Sequence, residues 1–285
     1  MELGAVLPES LGIIAGNGVY PFTMARAARK AGVKLIAAAA FTNETRPELA
    51  SEVDAMEWMR VGQLGKMIKF FKSQGVKHAA MVGQIAPKNL FDLRPDLRTL
   101  LMLGKLKRRN AETIFGGIGN ELAKDGITLI SAVSFLDDLL PAAGHVCGPT
   151  LRERDLADAR YGLAIARESS RLDIGQTVVV KKGTVLAVEA FEGTNECIKR
   201  GGALGRGEAT MAKVSKPNQD FRFDVPVVGP ATIESCAAAG VRLIAIEARR
   251  TLLLELEETK QLCDRHKVSV YALEVTSALD LELSK

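Results

Sequence analysis

An α/β fold in two domains is what this sequence predicts, and three observations predict it. Short apolar runs of strand length alternate with stretches of helical period along both halves of the chain. The first run leads into a glycine turn and then a helix-like stretch, GIIAGNGVYP, the usual opening of a doubly wound parallel sheet. Near the middle, PAAGHVCGP carries two prolines and two glycines, and 285 residues suffice for two domains of ordinary size. The expected division is therefore residues 1–140 and residues 141–285.

In the first half, residues 11–15 form a buried first strand, and the turn Gly16-Asn17-Gly18 passes into a helix over residues 22–31 that Gly32 ends. Residues 33–41 are a second strand, residues 66–73 a helix, and residues 78–82 a further strand ending at Gly83-Gln84. In a parallel sheet of this kind ligands bind beyond the carboxyl ends of the strands, so the GNG turn, Thr42-Asn43 and Gly83-Gln84 would gather there. Residues 96–110, DLRTLLMLGKLKRRN, set leucines at helical spacing among Arg98, Lys105, Lys107, Arg108 and Arg109. The preferred reading is a core-packed helix with a solvated charged face; a basic helix at a membrane surface or against an acyl chain is the alternative. Residues 127–131 form another strand.

The second half begins with Thr150-x-x-Glu153, a capping-box pattern before a helix running to about residue 172. Residues 177–180 and 184–188 are two strands of a hairpin turning at Lys181, Lys182 and Gly183. Thr194 is placed to cap a helical patch within residues 191–200, leaving N–H groups aimed at an anion. A glycine-rich link follows, then a segment dense in charge up to Asp224. A short helix over residues 230–239, a strong strand over 241–247, a short strand at 252–254, a helix over 257–266 and a last strand over 268–271 complete the chain.

Composition excludes several classes. Charged residues are 25%, apolar residues 47% and aromatics 5%, a folded soluble balance too poor in aromatics for a base-stacking nucleic-acid platform. A net charge of +4 suits an anionic small molecule or an anionic surface. Four isolated cysteines and three scattered histidines give no zinc or disulfide pattern, which fits a reducing, cytoplasmic setting. The first residues, MELGAVLPES, lack the basic start and apolar run of a signal peptide.

Residues 173–229 hold most of the chemistry: DIGQ, then VLAVEAFEGT, then KPNQDFRFDVPVVG. In this order, together with GIIAGNGVYP, these motifs resemble the LpxI-type UDP-2,3-diacylglucosamine pyrophosphatase family over nearly the whole chain. The resemblance implies an N-terminal Rossmann-like domain followed by a catalytic α/β domain. It implies hydrolysis of UDP-2,3-diacylglucosamine to 2,3-diacylglucosamine 1-phosphate and UMP in lipid A biosynthesis. It also implies Mg²⁺ as cofactor, acyl chains held between the domains, a homodimer, and peripheral contact with the inner membrane. It puts the functional aspartate of RFDVPVVG at Asp224, either as a metal ligand or as the residue that orients the attacking water. Lys216 and Arg222 are candidates for holding phosphate oxygens. Gln176, Glu192, Gly193, Thr194 and Gln219 join them as substrate-binding candidates, with Gly16, Asn17, Gly18 and Gln84 from the first half. Hairpin-end hydrogen bonding is an equal reading for Gln176, Glu192 and Thr194, and Asp220 reads equally as a surface partner of Arg222. The family often has aspartate where this chain has Asn195. Two other functions stay open. One is a nucleotide-binding oxidoreductase, against which Pro21 stands in place of a third glycine. The other is a non-catalytic lipid- or nucleotide-binding module.

Overall fold

The computed structural model describes residues 7–85, 95–108, 110–217 and 219–275. The expected α/β class holds. The chain divides into two compact units: Met1–Asp137 together with Asp220–Asp224, and Asp138–Gln219 together with Val225–Lys285.

The first unit is a parallel sheet of β1 (Ser10–Ala15), β2 (Leu35–Phe41), β3 (Ala55–Met59), β4 (His78–Val82) and β5 (Thr128–Leu129), in the order β3-β2-β1-β4-β5. The central β1 pairs Ile13 with Ala38 on one side and Ala80 on the other. β2, sequence LIAAAAF, is buried at every position but its first, as a strand covered on both faces must be. Helix α1 (Tyr20–Ala31) buries Tyr20, Phe22, Met24, Ala25 and Ala28. Helix α2 (Leu64–Ser73) buries Leu64, Met67, Ile68 and Phe71, a spacing of three and four that lays one apolar stripe on the sheet. Asp96 and Asn110 cap α3 (Leu97–Lys105) and α4 (Ala111–Lys124), accepting from the backbone N–H of Thr99 and Thr113 at 2.9 and 3.0 Å.

Helix α3 corrects one expectation. Its buried side carries Thr99 and Met102, and Arg98 reaches Glu121 at 2.9 Å and Asp125 at 2.6 Å on and after α4. With that side turned inward, Leu97, Leu100 and Leu101 are exposed. The helix is not a core-packed one showing only charge to solvent.

The second unit is a mixed sheet in the order β6-β13-β11-β9-β7-β8. Its strands are β6 (Gly144–Cys147), β7 (Thr177–Lys181), β8 (Thr184–Val188), β9 (Ala209–Lys213), β11 (Val241–Glu247) and β13 (Ser269–Leu273), with β10 (Val227–Val228) and β12 (Leu252–Leu253) paired separately. β9, β11 and β13 are parallel, and β6 and β7 run against them. The hairpin lies where expected but its turn is one residue shorter: Lys181 ends β7 opposite Thr184, and Lys182 and Gly183 have φ of 49° and 70°, the left-handed pair that matches strand twist. Helices α5 (Ala157–Arg171), α6 (Thr194–Gly205), α7 (Pro230–Ala238) and α8 (Leu256–His266) cover the sheet.

Several readings of this half are corrected. Residues 141–149 are not only a link, because Gly144–Cys147 pairs with β13. Thr150 and Glu153 do not form the capping box; Arg152 precedes a 3-10 turn at Glu153–Leu156 and pairs with Asp155. The glycine-rich link is helix. Gly201 and Gly202 belong to α6, because a Cβ on Gly201 would stand 2.5 Å from Val179 Cβ, and one on Gly202 2.2 Å from the Ala239 carbonyl oxygen. The glycines let α6 lie directly on β7. After that helix comes β9, an interior strand that sequence reading did not find.

Candidate active site

In the first unit, the residues named from sequence meet where the strand order reverses. β1 and β4 are neighbours, their chains continue to opposite sides, and open sheets bind ligands at that crevice. Asn17 and Gln84 form an antiparallel bridge there. Gly16 and Gly83 are glycines for a packing reason: a Cβ on Gly16 would lie 2.6 Å from the Gln84 carbonyl oxygen, and one on Gly83 2.6 Å from that of Asn17. The GNG turn does not leave its N–H groups open. Gly16 N–H donates to the Val82 carbonyl (2.8 Å), Asn17 N–H to that of Gln84 (2.7 Å), and Gly18 N–H to Asn17 Oδ1 (2.6 Å). The two loops are consumed in bracing each other. What they build is a stiff rim, with Thr45 Oγ1 donating to the Ala15 carbonyl at 2.5 Å beneath it.

The RFD part of KPNQDFRFDVPVVG belongs to this unit. Phe223 packs into its core, 5.6 Å from Phe115 ring to ring. Ala132 N–H donates to the Phe221 carbonyl at 2.7 Å, and the buried Tyr20 hydroxyl donates to the Ala132 carbonyl at 2.6 Å. Burial pushes the Tyr20 phenol above its usual range, so it remains a donor. A hydrogen-bonded line thus runs from the helix after the GNG turn to the segment holding Arg222 and Asp224. Arg222 grips Asp220 with a two-pronged contact, Nη2 to Oδ2 at 2.6 Å and Nε to Oδ1 at 2.9 Å, which holds the Asp220 carboxyl below its ordinary range. Asp224 closes the turn through its N–H to the Asp220 carbonyl at 3.0 Å and is half-buried.

In the second unit, DIGQ, EGT and KPNQ converge at the carboxyl ends of β9 and β11. Lys216 Nζ donates to Asp173 Oδ1 at 2.5 Å. Gly175 has no room for a Cβ, which would lie 2.0 Å from the Glu189 carbonyl oxygen. Val214 N–H donates to the Gln176 carbonyl at 3.1 Å, and Gln219 Oε1 accepts from Lys216 N–H. Beside them is a buried polar row. Thr194 Oγ1 donates to Glu189 Oε1 (2.9 Å), accepts from Lys213 Nζ (3.2 Å), and lies 3.4 Å from Thr177 Oγ1. Thr194 is therefore not the helix cap. Gly193, at φ 84°, precedes α6, and the threonine hydroxyl is drawn to Glu189. Glu192 is held by Arg200 at 2.5 Å and by the Ala190 N–H at 3.2 Å, and Arg200 keeps its carboxyl below the usual range. Asn195 is exposed on the first turn of α6.

Three side-chain atoms at this end are buried without a hydrogen-bond partner among the described residues: Gln176 Oε1, Glu189 Oε2 and Gln219 Nε2. Unpaired buried polar atoms are costly, and a bound polar ligand or water is what relieves them. A cavity of about 310 Å³ opens beside Lys216, lined by Arg167, Ser215, Glu247 and Arg250 among others. Glu247 Oε2 accepts from both N–H (3.0 Å) and Oγ (2.6 Å) of Ser215, whose hydroxyl also accepts from Arg250 Nε at 2.6 Å. Sequence reading passed over Ser215, Glu247 and Arg250. The signal for them was an acid closing a strong strand, IAIEARR.

Among the described residues no three His, Cys, Asp or Glu side chains converge as a metal cage. A single carboxylate such as Asp224 nevertheless fits magnesium, which takes one or two carboxylates and completes its shell with water and phosphate oxygens. None of the described helices is long and apolar enough to cross a membrane.

Comparison with known proteins places both halves. Residues 10–139 match the family model described as the LpxI N-terminal domain, and residues 142–271 match the LpxI C-terminal domain. A relative from Caulobacter vibrioides, named UDP-2,3-diacylglucosamine pyrophosphatase LpxI, is 32% identical over 260 residues, covering 87% of this chain and 92% of that protein.

Proposed function

The chain belongs to the LpxI family, and on that premise we propose that it hydrolyses the pyrophosphate bond of UDP-2,3-diacylglucosamine, releasing 2,3-diacylglucosamine 1-phosphate and UMP, a step of lipid A biosynthesis. The observation that carries this reading to a site is the convergence of DIGQ, EGT and KPNQ at one end of the second unit's sheet, with buried polar atoms left unpaired there.

The reaction adds water across a P–O–P bridge: the water oxygen bonds to one phosphorus, the bridge oxygen leaves with the other, and both products end as phosphomonoesters. The barrier is electrostatic, since an anionic nucleophile must approach a phosphorus ringed by negative oxygens. Lys216 and Arg222 supply positive charge to those oxygens, exchanging Asp173 and Asp220 for phosphate. Arginine does so as a planar fork and lysine as a point charge. Gln176 and Gln219 satisfy their unpaired amide atoms on the substrate's polar groups. Thr194 and the first turn of α6, opening at Gly193, add N–H donors to a phosphate oxygen. Glu192 holds the approach to that turn through Arg200. In the first unit, Gly16, Asn17, Gly18 and Gln84 form a rigid rim. Asp224 accepts a hydrogen bond from the attacking water and orients it, or holds the ion. Mg²⁺, where Asp224 would hold it, would supply neutralisation of phosphate charge and activation of water. We include in the proposal magnesium dependence, a cytoplasmic location and a homodimer.

The test is UMP release from UDP-2,3-diacylglucosamine with and without Mg²⁺, for the native chain and for Asp224→Ala. Release that needs the ion and falls by at least about 1,000-fold in the variant is expected, the loss typical of removing a group acting in the transition state. Full activity in a folded Asp224→Ala protein removes Asp224 from the mechanism, and no release by the native chain removes the reaction.

A further inference from the structure

We propose that α3 is a docking face for an anionic lipid bilayer. The helix turns Leu97, Leu100 and Leu101 outward, 73%, 52% and 59% exposed. They occupy positions i, i+3 and i+4, so they form one patch on one side of the helix. Gly104, the next position on that side, has open space where a side chain would stand, and the exposed Lys105 follows it. Lys107 and Arg108 continue the exposed positive charge beyond the helix end.

The acids of this region do not cancel that charge. Asp96 is spent on the N–H groups of Gly65 and Thr99, Glu121 on Arg98 and Lys124, and Asp125 on Arg98 and Lys72. Only Glu112, on the first turn of α4, is an exposed acid between residues 96 and 120 among the described residues. Lys105, Lys107 and Arg108 thus leave an excess of cations beside the leucines.

Size and charge select the occupant. The three leucines expose on the order of 300 Å² of apolar surface, well short of the ~800 Å² per partner that a stable protein interface buries. A bilayer surface needs no such area. It accepts a few apolar side chains below its headgroups while cations pair with anionic lipid, each cation strengthening binding about fivefold. The choice also rests on the function proposed above, because a diacylated substrate resides in a membrane and an enzyme resting there meets it at high local concentration.

The full chain is floated with vesicles of equal parts phosphatidylglycerol and phosphatidylcholine, and with pure phosphatidylcholine vesicles. Binding to the anionic vesicles at least about tenfold stronger than to the neutral ones, and weakened by raised salt, is expected. Leu97→Ser/Leu100→Ser/Leu101→Ser should weaken partitioning by about 100-fold, and Lys105→Glu/Lys107→Glu by at least tenfold. Turnover of a short-chain, fully water-soluble diacyl substrate should be unchanged in both variants, so a failure of docking is told apart from a failure of the catalytic reading. No flotation of folded native protein overturns the proposal, as does equal binding by the serine variant. A serine variant that dissociates an oligomer would make the face a contact between copies. One that raises KM for the soluble substrate would make it an acyl-chain wall. Either result overturns the bilayer assignment.

Discussion

Gly201→Ala should destabilise the second unit although helix propensity predicts the opposite. Replacing a mid-helix glycine by alanine normally stabilises by about 1 kcal/mol, because the unfolded chain has less freedom to lose. At position 201 the added methyl would lie 2.5, 2.7 and 2.8 Å from Val179 Cβ, Cγ1 and Cγ2. Real contacts of that kind do not fall below about 3.0 Å. Because Val179 is β-branched and wholly buried on β7, no rotamer clears all three atoms. The helix must lift from the strand. Overpacking of this kind costs roughly 3 kcal/mol, at the upper end of its usual range, so the net loss is about 2 kcal/mol. Gly116 on α4 is the control: nothing lies within 4 Å of a Cβ there, so Gly116→Ala keeps only the propensity gain, about 1 kcal/mol or less. Urea unfolding followed by two probes separates the units. Trp58, the chain's single tryptophan, sits on β3 in the first unit, and far-ultraviolet circular dichroism reports both. Gly201→Ala should lower the transition that Trp58 does not follow by about 1 M urea, while Gly116→Ala raises the Trp58 transition slightly. A Gly201→Ala protein as stable as the native one would refute the close seating of α6 on β7. It would also refute the placement of Gly193 and Thr194 at the head of that helix.

Other consequences are as open to measurement. The carboxyl of Asp220 is depressed by Arg222, so the pair contributes stability above the ordinary carboxylate pKa of about 4 and loses it as pH falls through the lower folded value. The stability difference between native protein and Asp220→Asn should therefore be full at neutral pH and fade in acid; a difference constant down to low pH would contradict the pairing. All four cysteines are buried, and burial pushes the Cys197 thiol up to about 12. A thiol reagent at mild alkaline pH should leave Cys197 untouched in the folded protein and label it in urea, and rapid native labelling would disprove its burial. Lys182 holds φ 49° in the hairpin turn while its N–H and that of Gly183 donate to Asp158. Lys182→Asn keeps those backbone bonds and relieves part of the left-handed cost, raising stability by about 0.5 kcal/mol in the same urea assay. An unchanged or lowered midpoint would count against the strain.

Much of the second unit's site was readable as wording. DIGQ, EGT and KPNQ stand apart in sequence, and together they carry the glycines, amides and charges that a strand end needs when it receives a ligand. Their joining was not readable. It depends on Gly175 touching the backbone of Glu189 and on Lys216 reaching back to Asp173, contacts that no local pattern encodes. Glu247, Ser215 and Arg250 were missed for the same reason, since each looks ordinary until the ends of β9 and β11 lie side by side. The GNG turn erred the other way. Its glycines suggested N–H groups free for a phosphate, yet those groups are taken by the carbonyls of Val82 and Gln84 and by the Asn17 side chain.

By itself the sequence determined the α/β class, most strands and helices, the place of the hairpin and the family. Those follow from side-chain period, from the backbone freedom of glycine, and from motifs long enough to be specific. Only the tertiary structure decided that the glycine run at 201–205 is helix, because a nearby strand, and not local propensity, requires the missing side chains. It alone decided that Ala209–Lys213 is an interior strand and that α3 shows its leucines to solvent. It alone decided that Asp220–Asp224 packs with the first unit while the residues on either side belong to the second. Each depends on which surface an element meets, and burial energy is assigned by that meeting between residues far apart in the chain.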